Sequence, residues 1–194
     1  GSLELALLVF ETADARALAV NTIHRSGRAV HGKSNGAGAR NTGGCAGCTR
    51  AHDTADVAHD PQSTFHAMTL AWLECQEGNN AVLVQIHGFA DRPVGPDLVL
   101  SAGVNPAPAP VLRLARSLQG ALPGAGIAVW PASAGALGGT TNVQGLAARA
   151  HRTVFLHVEL GRRIRDRLKT RETSTRVFIQ VLGRFLANQG RALD

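Results

Sequence analysis

Residues 81–89 read AVLVQIHGF. Apart from Gln85 the run is apolar on both faces until His87, as in a buried parallel strand rather than one that alternates between core and water. The rest of the chain is read outward from that choice. DLVLSAG (97–103), GIAVWPA (126–132) and RTVFLHVEL (152–160) are three further strands. The proline-spaced NPAPAP leads into a helix at VLRLARSLQGAL (111–122), and the Gly-rich SAGALGGTTNVQG (133–145) leads into a short helical piece. Two basic amphipathic helices follow Glu159. Upstream, Ser63 is the expected N-cap of a helix with Phe65, Met68, Leu70, Trp72 and Leu73 on its apolar face, closed by Asn79-Asn80. LELALLVF (3–10) and RALAVNTI (16–23), joined by the acidic ETADA, read as a pair of strands forming a front hairpin. The alternation of strand and helix predicts an α/β protein: a three-layer α/β/α arrangement whose mixed, mainly parallel sheet carries helices on both faces.

At 194 residues the chain has the length of one domain, expected to span 1–194 as a single catalytic domain. Residues 25–49 form a long Gly-rich loop in this reading, of the kind that is functional or mobile. The sequence has no tyrosine and 4% aromatic residues, which excludes phenol chemistry and a nucleic-acid platform of stacked rings. The net charge of +6 favours an anionic partner. No apolar run reaches the roughly 18 residues of a membrane span. The opening GSLELALLVF is too short and too uncharged for a signal peptide. The compartment stays open: periplasmic or secreted if a targeting segment has been removed, otherwise cytoplasmic. Three cysteines, Cys45, Cys48 and Cys75, are not a disulfide framework, although one pair can form.

In an open α/β sheet ligands collect at the carboxyl ends of the strands. His87 and Glu159 each arrive where an apolar strand runs out, and AHDTADVAHD (51–60) precedes the first of the central helices. A hydrolytic zinc site takes three His, Asp or Glu ligands and leaves one position for water. His52 and Asp56 supply a local pair and His87 the distant third. Glu159 is then the carboxylate that takes a proton from the bound water. A rival ligand set draws on His59, Asp60 and His66. His157, two residues before Glu159 on the same strand face, is a supporting partner or a core residue.

These residues resemble a family. GGTTNVQG followed by RTVFLHVELGRR resembles the end of the zinc carboxypeptidase-like hydrolases, including compact amidohydrolases of the N-formylglutamate type. There, a Gly-Gly-Ser/Thr turn precedes a strand that delivers the catalytic glutamate, here Glu159. VLVQIHGF resembles the strand that ends in the third zinc ligand, here His87. AHDTAD resembles the first-ligand motif in the compact form found in some bacterial relatives, with His52 and Asp56 as its ligands. The resemblance runs over residues 50–162. It implies a carboxypeptidase-like fold, one zinc ion, and hydrolysis of an amide bond in a peptide or acyl-amino acid. The chain departs from the family in its short spacing between His52 and His87 and in its lack of tyrosine. The Asn-Arg pair that grips a terminal carboxylate has only candidates: Arg92, Asn142 and Arg162.

Other signals compete with this reading. CAGC (45–48) has the spacing of a zinc knuckle or redox pair but no second motif, so two loop cysteines or a local disulfide is the expected state. GKSNGAG (32–38) lacks the spacing of a phosphate loop. The basic run RRIRDRLKTRETSTR (162–176) is expected to be a solvated helix face. Its functional alternative is a non-catalytic protein that holds an anionic ligand on the C-terminal helices, with nucleic acid disfavoured.

Overall fold

The computed structural model describes residues 2–13, 15–21, 56–76, 81–91 and 94–189. Its elements, in chain order, are α1 (Ser2–Thr12), α2 (Thr64–Cys75), β1 (Val82–Phe89), β2 (Leu98–Ser101), α3 (Ala109–Ala121), β3 (Ile127–Val129), α4 (Val143–Ala150), β4 (Val154–Gly161), α5 (Arg162–Thr170) and α6 (Glu172–Gln189). The protein is thus an α/β protein with a four-stranded mixed sheet, ordered β1–β4–β2–β3. β1 runs parallel to β4 and β2 parallel to β3, while β2 and β4 are antiparallel.

β4 organises the molecule because its side chains alternate between two cores. Leu156, Val158 and Leu160 join Leu98 and Leu100 of β2, Leu5 and Val9 of α1, Leu114 and Leu118 of α3, Ile164 and Leu168 of α5, and Phe178 and Leu182 of α6. Phe155 belongs to a second, smaller cluster with Leu73 of α2 and Ala147 and Ala148 of α4. A period of two sends neighbouring side chains to opposite faces. His157 and Glu159 therefore continue the stripe begun by Phe155, on the face of the smaller cluster. β1 stands at one end of the strand order and is half-buried along its whole length, where the sequence predicts a fully buried strand.

The front hairpin is not formed. Residues 2–12 are helix, and 15–21 contain no strand. Leu, Ala and Glu dominate SLELALLVFET, and these residues favour helix. The two buried positions, Leu5 and Val9, are four apart, so a single helical face meets the core. A strand would have sent every second side chain of the run to the other side. Glu4, beside this face, pairs with Lys169 of α5 at 2.9 Å.

The helix ends follow local rules. Ser63 caps α2 by accepting from the His66 amide at 3.1 Å. Asn142 caps α4 by accepting from the Gly145 amide at 2.9 Å. α5 begins directly after β4 with Gly161 at its cap position, and Asp91 accepts from the Arg163 amide there at 3.0 Å. No helix among the described residues is long and apolar enough to cross a membrane.

Candidate metal centre

Parallel pairing of β1 with β4 sets His87 directly opposite Glu159 and Gln85 opposite His157. The four side chains therefore share one face near the carboxyl ends of both strands, where an α/β sheet presents its ligand groups. His87, His157 and Glu159 each offer one donor atom, and the three donors lie within 4.8 Å of one another. His157 Nε2 stands 3.7 Å from Glu159 Oε1, and both side chains are almost fully buried. The imidazoles of His87 and His157 approach to 4.8 Å between ring centres. Among the described residues this is the one group of three or more His, Cys, Asp or Glu side chains so arranged.

The donor set suits a divalent metal. Zinc sites with one open position commonly use two histidines and a glutamate, and ligands about 2.0–2.1 Å from zinc in a tetrahedron lie about 3.4 Å apart. The His157–Glu159 separation of 3.7 Å is already near that spacing. A separation of 4.8 Å requires the donors to draw together by about 1.4 Å. A buried ionised carboxylate also needs a counter-charge, which a proton on His157 or a cation among the three groups provides.

The Gly-rich turn before α4 closes over this face. Gly139 has φ +61°, and a Cβ there would sit 3.0 Å from Cγ of His157. Gly138 is packed against Trp130, whose ring would lie 2.4 Å from an added Cβ. Ser101, opposite His157 in β2, ties the turn down: its hydroxyl donates to the Gly138 carbonyl at 2.7 Å and accepts from the Gly103 amide. The Gly-Gly pair of GGTTNVQG thus permits a close approach of backbone to an imidazole. Next to His87, on the opposite face of β1, Gly88 leaves room for the Arg165 guanidinium, which donates to the carbonyls of Phe89 and Leu160.

The residues expected to form the site fall into three groups. His87 and Glu159 are brought together. Asp56 instead contacts His59, with Oδ2 3.1 Å from its Nδ1. The backbone between these two residues is fastened to α4: Ala58 accepts from the Val143 amide at 2.9 Å, and Val57 accepts from Gln144 Nε2 at 2.9 Å. Asn142 is buried and engaged, capping α4 and donating to Gln85 Oε1 at 2.5 Å. Arg162 is exposed and lies 3.8 Å from Asp166. His52, Arg92, the CAGC pair and GKSNGAG lie outside the described residues. His157 is the member whose role the sequence left open, and its two-residue spacing from Glu159 is the signal that places both on one face.

The basic run is a largely exposed helix face that makes contacts within the chain. Arg163 pairs with Asp97 at 2.9 Å, Arg167 donates to the Pro123 carbonyl at 3.0 Å, and Arg176 pairs with Glu172 at 2.6 Å. Arg163, Arg165, Arg167 and Lys169 thus tie α5 to other parts of the chain, whereas the Arg162 and Arg176 pairs lie within their own helices. Cys75, at the end of α2, is an exposed free thiol. Scans of protein-family models, curated proteins and solved structures found no match to this chain.

Proposed function

We propose that the protein is a zinc-dependent hydrolase of amide bonds, acting on a peptide or acyl-amino acid from a three-layer, zinc carboxypeptidase-like scaffold. The observation that carries the reading is the convergence of His87, His157 and Glu159 donors within 4.8 Å at adjacent parallel strand ends. In this proposal those three residues hold the metal, so His157 and Glu159 replace the expected ligands His52 and Asp56, and Glu159 is a ligand rather than the general base. Zinc bound there would acidify a water molecule and polarise a substrate carbonyl. Glu159 brings a negative charge that offsets part of the ion's charge. His59 is the proposed proton acceptor, oriented by Asp56 and tied through Val57 and Gln144 to Gln85 beside His87. Arg162, three residues beyond Glu159, is the proposed anchor for an anionic substrate, consistent with a chain of net charge +6.

Metal analysis of protein purified without chelators tests the ligand set, and hydrolysis of a panel of short peptides and N-acyl amino acids tests the activity. One equivalent of zinc is expected in the wild type, with loss in His87→Ala and His157→Ala. Glu159→Gln is expected to weaken zinc binding. If it retains zinc at full affinity while losing hydrolysis, Glu159 is the proton acceptor and not a ligand. A wild-type protein that neither carries zinc nor gains thermal stability from added zinc overturns the proposal.

A further inference from the structure

Next to the three donor residues lies a chain of side-chain amides whose direction is fixed at both ends by backbone groups. At one end Gln144 Nε2 donates to the Val57 carbonyl at 2.9 Å. A carbonyl can only accept, so the Gln144 amide cannot be reversed there, and its Oε1 faces Gln85. Gln85 Nε2 donates to that oxygen at 3.1 Å. At the other end Asn142 Oδ1 accepts from the Gly145 amide at 2.9 Å. An N–H can only donate, so Asn142 Nδ2 points away from it, toward Gln85 Oε1 at 2.5 Å. Both anchors demand the same orientation of Gln85, with nitrogen toward Gln144 and oxygen toward Asn142. Amide orientations are usually chosen from their neighbours; here the backbone makes the choice twice.

The same Gln85 oxygen lies 3.4 Å from His87 Nε2. An amide oxygen has no proton to give, so a hydrogen bond between them requires the proton on Nε2. A neutral imidazole carries one N–H and one lone pair, which leaves the lone pair on Nδ1. We infer that Gln85 is a positioning residue that selects the tautomer of His87 and thereby presents Nδ1 as its metal-binding atom. Partners of this kind orient metal-binding histidines and raise their basicity, and their removal typically costs about 10- to 100-fold in metal affinity. Asn142 and Gln144 act one step further out by fixing the carboxamide. This explains why a glutamine and its two amide partners lie on a face otherwise given to Phe155, Leu83 and the alanines of α4. The inference rests on the metal-centre reading for its consequence, and the tautomer can be measured without metal.

The test is 15N NMR of histidine side chains in metal-free protein, at a pH where His87 is neutral, together with zinc titration. The wild type is expected to show His87 protonated on Nε2. Gln85→Leu removes the acceptor and is expected to lose that preference and to weaken zinc binding by about 10- to 100-fold. Gln85→Glu keeps an oxygen facing His87 while its second oxygen meets Gln144 Oε1; it is expected to restore the Nε2 preference but only part of the zinc affinity, a rescue that a merely space-filling role does not predict. Circular dichroism and thermal melting check that each variant is folded. Should Gln85→Leu fail to fold, Asn142→Asp keeps the α4 cap but sets oxygen against oxygen at Gln85, and the tautomer preference is expected to weaken there. His87 protonated on Nδ1 in the wild type, or an unchanged tautomer in folded Gln85→Leu, overturns the inference. A wild type with the expected tautomer that binds no zinc overturns the metal centre and leaves the control by Gln85 standing.

Discussion

At the scale of single residues, the site depends on close approaches that only particular side chains permit. Gly139 has a left-handed backbone and lies against the His157 ring. Gly139→Ala introduces a left-handed alanine, a strain of about 1–2 kcal/mol, and a Cβ that pushes on the imidazole. The expected result is a lower melting temperature together with weaker zinc uptake; a change in melting temperature alone would separate His157 from the metal. His66 provides a test unrelated to metal. Its Nδ1 is buried with no hydrogen-bond partner among the described residues. Burial lowers its pKa from the usual 6.5, against a smaller upward pull from Asp60. The unfolded chain therefore takes up this proton more readily than the folded one. Stability is full above about 6.5, declines as the pH falls through that value, and levels off once the folded imidazole is protonated as well. His66→Leu should flatten this part of the melting-temperature profile between about pH 7.5 and 5, and an unchanged slope would place the effect elsewhere.

At the scale of elements, local signals were readable wherever one residue dictates its own surroundings. Ser63 at the head of α2 is such a case, and its hydroxyl accepts as a cap should. Ser63→Ala is expected to cost about 1 kcal/mol of stability, measured by denaturant unfolding, with zinc affinity unchanged. The cap of α5 was not readable in the same way, because Asp91 reaches the Arg163 amide from the connection after β1. The first helix shows the limit most plainly. A short apolar run such as LELALLVF satisfies both a strand and a helix, and its choice was made by the core it shares with α6 and β1. The basic run is largely the solvated helix face its composition suggests, with Arg162, Arg163, Lys169, Arg171 and Arg176 exposed; Arg165 and Arg167 are half-buried and donate to backbone carbonyls, which the composition did not show.

At the scale of the whole molecule, the site is a product of register. Moving β1 by one residue against β4 would turn His87 and Gln85 to the opposite face, among the leucines and valines of the larger core. Metal binding should then couple to the stability of the whole fold. With free zinc at 100 times its dissociation constant, the native state is expected to gain about 2.7 kcal/mol. The rise in melting temperature should be reversed by a chelator and absent in His157→Ala. A shift that survives in His157→Ala would mean that zinc binds elsewhere.

The sequence alone determined the α/β class, because the apolar runs and helical periods between residues 64 and 189 report their own conformations. It also singled out His87 and Glu159, since a polar group ending an apolar strand is conspicuous without any partner in view. Only the tertiary structure decided that these two face each other, that His157 stands with them, and that the Asp56 carboxylate contacts His59. It also decided which way the Gln85 amide points. The physical reason is that conformation is largely local, whereas a site is a set of distances between segments. Those distances are set by strand pairing and by hydrogen bonds between residues up to 87 apart in the chain.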